Sequence, residues 1–302
     1  MNLLLTLLRR LVYLSTLLYF TLQVCSFWGN IARPMMHTRD EPFVLSETDS
    51  YLVIYKPPGL ATAPLKAGEQ NNLLFWCIKR FPEVGKISGK KTIEGGLIHR
   101  LDTDTNGLVL FARTQAAYDS LLSQQDRGHF IKRYHAWCRQ YKSEDFNAAS
   151  GFPPPPYTLD EVLKMPLTIS SPFRPYGPGR KQVRPVLLGP ALFGKHKEIA
   201  LDQGKPYITI LRSVEKDNCN PSTYYMFDVE ITRGFRHQIR CHLAWIGFPI
   251  IGDPLYNPQC RQGNCERGPL ALQAWAFEFL DPLTGNPVCY ELSSSTGTGG
   301  MV

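Results

Sequence analysis

Residues 99–112 read HRLDTDTNGLVLFA. The last five, Leu108 to Ala112, form an apolar run of the length of a buried strand. Asn106-Gly107 just ahead of them is a tight-turn pair, and before it lies a polar loop centred on Asp102. A carboxylate in a loop that enters a buried strand is held by a rigid element and stays reachable. His99 and Arg100 can set positive charge beside it and can meet phosphates. From physics alone, a surface Arg–Asp pair capping a turn is the commoner reading of the same residues.

The pattern on either side supports a strand-rich chain. Tyr51 to Tyr55 (YLVIY) is a short β-rich run stopped by Lys56-Pro57-Pro58-Gly59, and Leu73 to Phe81 has its apolar residues on one helical face. Thr114 caps a predicted helix through Tyr118, Leu121 and Leu122 that Gly128 closes. Next, HFIKRYHAWC (129–138) alternates as a strand does. Residues 143–206 change texture, with Pro153 to Pro156 in a row. They read as an irregular excursion with short strands around Leu167–Ile169 and Val183–Val186. Strands at Tyr207 to Val214 and Tyr224 to Ile231 lead through Arg233-Gly234 into a helix carrying HQIRCHLAWIG (237–247). On that helix Ile239, Leu243 and Ile246 form a buried stripe, and Arg236 and Arg240 share another face. Many strands and few helices argue for an α+β fold built on a mixed, mainly antiparallel sheet with flanking helices and loops.

HRLDTDTNGLVLFA is similar to the HRLD-x-x-T-[SN]-G-apolar signature of the RluA-type pseudouridine synthases. YLVIYKPPG (51–59) resembles that family's early strand ending in Lys-Pro-x-Gly. Ile131-Lys132-Arg133-Tyr134 resembles its Lys-x-Tyr strand. Gly234-Phe235-Arg236-His237-Gln238-Ile239-Arg240, with His242-Leu243 and Gly252-Asp253-Pro254-Leu255-Tyr256, resembles its G-R-T-H-Q-I-R … H-L … G-D-x-x-Y segment. The likeness runs from about Val44 to Leu292 and is weak over 143–206. It departs where Phe235-Arg236 replaces Arg-Thr and where Leu272-Gln273-Ala274 stands for Leu-His-Ala.

The resemblance implies an isomerase that converts uridines of ribosomal or transfer RNA to pseudouridine. It implies Asp102 as nucleophile, Tyr134 against the target base and Arg240 as the partner of Asp102. Lys56, His99, Arg100, Lys132, Arg236, His237 and Gln238 are the expected RNA contacts. The reaction is redox-neutral, so no cofactor is expected. No metal is expected either, because His237 and His242 are five residues apart and do not face one direction on a helix. RNA is the expected partner, with no DNA, no obligatory protein partner and a monomeric state. A non-catalytic RNA-binding protein on the same fold is the alternative, but it would be expected to lose Asp102, Tyr134 or Arg240. A glycoside hydrolase would need a second carboxylate near Asp102, and these motifs show none.

Bulk properties agree without deciding anything. The net charge of +7 suits a polyanionic partner, but three of the positive residues, Arg9, Arg10 and Arg33, lie in the first 34 residues. The eight cysteines form no Cys-x-x-Cys pair and read as reduced thiols of a cytoplasmic protein. Leu11 to Trp28 is an apolar run behind Arg9-Arg10, about as long as the shortest membrane spans. As an anchor it would send the rest of the chain away from RNA. The favoured expectation is therefore that translation starts at Met35 or Met36. Residues 1–35 are then an apolar extension, 36–292 the catalytic domain and 293–302 a disordered tail.

Overall fold

A computed structural model describes residues 39–141, 151–187, 205–217, 223–261, 263 and 268–292. The expectations for the extension 1–35, for the tail 293–302 and for residues 143–150 and 188–204 lie outside the described residues. The elements run β1 (Phe43–Glu47), β2 (Tyr51–Lys56), α1 (Leu73–Arg80), β3 (Asn106–Ala112), α2 (Gln115–Arg127), β4 (Ile131–Cys138), the single turn α3 (Leu159–Val162), β5 (Leu167–Ser171), β6 (Phe173–Tyr176), β7 (Gln182–Pro185), β8 (Tyr207–Asp217), β9 (Tyr224–Ile231), α4 (Gln238–Trp245), α5 (Pro258–Arg261), β10 (Leu272–Leu280) and β11 (Pro287–Glu291).

The main sheet has the order β1-β2-β3-β10-β4-β9-β8-β5, and β11 also pairs with β10. Its pairs are antiparallel except β3 with β10, which run parallel through Gln273↔Asn106 and Ala274↔Gly107. This is the expected α+β architecture with a mainly antiparallel sheet. The parallel pair sets the site, because it seats the start of β3 in the middle of the sheet. Gly107 makes the join possible. Its φ is +127°, and a Cβ there would lie 2.2 Å from the carbonyl oxygen of Ala274, a place no side chain can occupy.

β2 and β3 are buried along their whole length, while β4 alternates, with Lys132, Tyr134, Ala136 and Cys138 on its buried face. Helix α2 starts where Thr114 Oγ1 accepts the Ala117 amide at 3.2 Å and stops at Gly128 in the left-handed region. Its Ala117, Tyr118 and Leu121 pack into one core with Leu108, Leu110, Phe130, Phe277 and Phe279. Each large apolar side chain buried there stabilises the fold by about 2 kcal/mol.

Two expectations are overturned. Helix α4 starts at Gln238, and His237 ahead of it has φ 57°, so Arg236 lies outside the helix and shares no face with Arg240. All eight residues of α4 are buried, which an amphipathic stripe does not foretell. The short strands expected in the excursion around Leu167–Ile169 and Val183–Val186 are present as β5 and β7. β5 extends the main sheet along β8, and β6 pairs with β7 with Pro175 opposite Val183. A two-stranded ribbon tolerates a proline because one side of each strand needs no ladder bond. Finally, Cys260 is disulfide-bonded, whereas Cys77, Cys138, Cys241 and Cys289 are free thiols. Among the described residues no helix is long and apolar enough to cross a membrane.

Candidate active site

Asp102 is presented by a loop fastened at several points. Thr62 Oγ1 donates to the Leu101 carbonyl at 2.7 Å and accepts the Leu101 amide at 3.1 Å. The Thr105 amide donates to the Asp102 carbonyl at 3.1 Å, closing the turn into β3. From the strand next door, Lys56 Nζ donates to the carbonyls of Pro57, Leu60 and Thr103 at 2.8, 2.7 and 2.8 Å. At the foot of the loop, Gln273 Nε2 donates to Asn106 Oδ1 at 2.9 Å and ties the β3 entry to β10.

Helix α4 brings a cation to the carboxylate. Arg240 Nη1 donates to Asp102 Oδ2 at 2.9 Å, while its Nε and Nη2 grip Asp253 Oδ2 and Oδ1 at 2.8 and 2.9 Å. Asp253 is fully buried and also accepts the amides of Leu255 and Tyr256 at 2.8 and 3.0 Å. Burial works against the Arg240 charge, but Asp253 and Asp102 outweigh it and hold the guanidinium protonated. The other oxygen of Asp102 has no hydrogen-bond partner among the described residues.

Thr62, the loop from Leu101 to Thr105 and Arg240 line a cleft of about 760 Å³, within the range of small-ligand sites. Asp102, Tyr134 and Arg240, the three expected to act together, all face it. Tyr134 is buried on β4, and its hydroxyl has no hydrogen-bond partner among the described residues. Burial and then the charge of Asp102 push that phenol up, so it stays protonated at neutral pH. His237 Nε2 lies 3.9 Å from Asp102 Oδ2, too far for a hydrogen bond, and its Nδ1 is 3.1 Å from the Tyr256 hydroxyl. Burial pulls the imidazole below its ordinary value, and the charge of Asp102 offsets this in part. At the rim, Arg100 is paired with Glu94 at 3.1 Å, and Arg236 donates to the Arg180 carbonyl at 2.7 Å. Both remain exposed enough to meet a phosphate.

Several expected RNA contacts are spent elsewhere. Lys56 does not line the cleft; its three N–H bonds go to three backbone carbonyls, so it holds the Asp102 loop and has none left for a phosphate. Gln238 Nε2 donates to the Ile208 carbonyl and Thr209 Oγ1 at 2.9 and 3.0 Å, and its Oε1 accepts the Phe235 amide at 2.9 Å. Its amide is consumed in joining α4 to β8. His99 lines the cleft but supplies no charge. Its Nε2 accepts the Leu110 amide at 3.3 Å, and burial pulls it well below the ordinary imidazole value. The positive charge at Asp102 comes instead from Arg240, 138 residues away in sequence. Reading the motifs one at a time gave Asp253, Tyr256 and Thr62 no role. The Gly252-Asp253 pair was the available signal for the first, but nothing in the sequence said which arginine it would hold. Among the described residues no cluster of His, Cys, Asp and Glu could hold a metal.

Residues 50–245 match the model of the RNA pseudouridylate synthase family. Ribosomal large subunit pseudouridine synthase D of Pseudomonas aeruginosa is 26% identical over 218 residues, covering 72% of this chain and 54% of that protein. An uncharacterized RNA pseudouridine synthase of Chloroflexus aurantiacus is 28% identical over 204 residues, covering 68% of this chain and 51% of the other. The chain thus spans about half the length of these relatives. Among solved structures, human RNA pseudouridylate synthase domain containing 1 superimposes with a TM-score of 0.55 at 18% identity, covering 85% of this chain and 84% of that one. At that identity the likeness speaks for the fold alone.

Proposed function

The chain belongs to the RNA pseudouridylate synthase family, and we propose from this and from the cleft that it isomerises uridine in RNA to pseudouridine with Asp102 as nucleophile. The observation that carries the reading is the convergence of Asp102, Arg240 and Tyr134 on one cleft, with one Asp102 oxygen held by Arg240 and the other unengaged. A carboxylate fixed in this way can act covalently on a nucleoside and divide one difficult step into two.

The reaction balances without an added reagent. The C1′–N1 bond breaks with its electron pair on the base, the base turns, and C5 bonds to C1′. C5 then loses its proton and N1 gains one. No electron acceptor or group donor enters, so the chemistry calls for no cofactor. The target uridine must leave its stack to reach Asp102, and the rim arginines Arg100 and Arg236 are placed to hold the phosphates that stay outside. Tyr134 offers a ring on which the base can stack.

Several of the matched relatives carry the large ribosomal subunit in their names, which puts ribosomal RNA first among the substrates to try and transfer RNA second. A non-catalytic binder has no observation in its favour, since Asp102, Tyr134 and Arg240 are all present in one cleft. The test is nucleoside analysis of ribosomal and transfer RNA after incubation with the protein. New pseudouridine at defined positions supports the reading, and RNA of unchanged composition after exhaustive incubation contradicts it.

A further inference from the structure

The cleft holds a second buried cation, and this one has no anion. Lys132 is 3% exposed, yet no carboxylate pairs with it among the described residues. Its neighbours cannot serve. On β4 it lies two residues before Tyr134 on the same buried face. In the sheet it is flanked by Phe277 of β10 and Ile231 of β9. Its ammonium is 4.9 Å from the centre of the Phe130 ring, and the charge of Lys90 faces it. His99 is close enough to feel its charge but cannot accept from it. Because His99 Nε2 takes the Leu110 amide, Nδ1 carries the proton, and that Nδ1 is itself buried without a partner. Burial, with Lys90 adding to it, pushes the Lys132 amine down to about 7.

A buried charge without a partner costs several kcal/mol, and such a group is tolerated where its counter-charge arrives from outside. A negative charge that forms in the cleft during the reaction would supply the counter-charge that Lys132 lacks among the described residues. On the synthase reading the exposed rim arginines Arg100 and Arg236 hold the phosphates, and the flipped base is the part of the nucleotide that enters deeply. Uracil carries no charge when it enters. It becomes an anion when the C1′–N1 bond breaks, with the electron pair spread from N1 onto O2 and O4.

We propose that Lys132 is a catalytic residue that donates a hydrogen bond to the uracil in the cleft and neutralises the negative charge the base acquires on detachment from C1′. The inference rests on the synthase reading and gives Lys132 a step within it. The protonated form of Lys132 does this, and it keeps its proton throughout the step. The electron pair returns from the base when C5 bonds to C1′, and the C5 proton leaves by another group.

The test compares wild type, Lys132→Met and Lys132→Gln in single turnovers on an RNA carrying either uridine or 5-fluorouridine at the target position, following consumption of the target nucleoside. Fluorine at C5 stabilises the base anion and so lessens the need for an external cation. Lys132→Met should slow uridine consumption by roughly 100-fold, the usual effect of removing one donor from a developing anion, with RNA affinity unchanged within about threefold. On 5-fluorouridine the deficit should shrink at least tenfold. Lys132→Gln, which keeps a donor without the charge, should fall between and carries the same comparison if the Met variant does not fold. An equal deficit on both substrates, a loss confined to RNA affinity, or full activity of the variants overturns the assignment. A wild-type protein that consumes neither nucleoside removes the synthase reading itself, and this inference with it.

Discussion

Asp253 holds Arg240 by two parallel bonds, Nε to Oδ2 at 2.8 Å and Nη2 to Oδ1 at 2.9 Å, and so fixes the one guanidinium nitrogen that reaches Asp102. The pair is buried, and the Asp253 carboxylate accepts two backbone amides besides. Bidentate geometry of this kind sets direction as well as energy.

Asp253→Asn should therefore lower turnover at least tenfold with little change in KM, although no substrate atom need touch residue 253. Asp253→Ala should lose about 3–5 kcal/mol of stability, because it leaves Arg240 with only one carboxylate in a buried place. Pairing it with Arg240→Met should recover part of that loss. Urea denaturation of the single and double variants reads this directly, and additive losses would contradict it.

Lys56 fastens the Asp102 loop through all three of its N–H bonds, which leaves it none to offer an RNA phosphate in this arrangement. Burial pushes its amine down to about 7 while Asp104 and Asp102 pull the other way. The three carbonyls accept all three of its N–H bonds, so the charged form is the one that satisfies the site. Lys56→Met strands those three acceptors and should cost about 3 kcal/mol. Its RNA affinity should match wild type while turnover falls. A Kd weakened with its salt dependence reduced would mean instead that Lys56 meets a phosphate.

Stability should fall in mild acid because of His242. Its ring nitrogens lie 2.9 Å from Ser171 Oγ and 2.8 Å from Thr209 Oγ1, and burial pushes it down to about 3 from 6.5. A base whose value is lowered on folding binds its proton more readily when unfolded. Its contribution is therefore complete above pH 6.5 and is lost as pH falls below that toward 3. At pH 5 the loss from this residue is about 2 kcal/mol. His99 acts in the same direction. His242→Asn should lose correspondingly less stability between pH 7.5 and 5 in urea titrations, and an unchanged pH dependence would contradict the assignment.

Part of the sheet was legible from local patterns, because YLVIY, LVLFA and the alternating 131–138 segment each state their own strand, whereas β1, β6, β10 and β11 were not read as strands. The pairing of β3 with β10 was not legible: it joins Asn106 to Gln273, and no periodicity encodes which strands meet. The candidate site divides along the same line. The residues of one motif, such as Asp102 or Tyr134, could be named from sequence. The pairing of Asp102 with Arg240 follows from the family resemblance, and the structure has that bond at 2.9 Å; the hold of Asp253 on Arg240 required the fold. Lys56, His99 and Gln238 look like RNA contacts as isolated polar residues beside a motif, yet each is spent on backbone or neighbouring side chains once the chain is folded. Arg236 and Arg240 were assigned to one helical face because helical spacing was continued through His237, where a positive φ turns the chain.

The most direct test of the central claim is tritium release from RNA labelled at uridine C5, measured with wild type and Asp102→Asn. Asparagine keeps the shape of the residue and can neither attack as a carboxylate nor pair with Arg240 as an anion. Release by wild type, with release by Asp102→Asn reduced at least 1,000-fold and RNA binding retained, is the result expected of a synthase with Asp102 as nucleophile, a loss on the scale seen when a catalytic nucleophile is removed. Release by the variant at the wild-type rate would take Asp102 out of the chemistry.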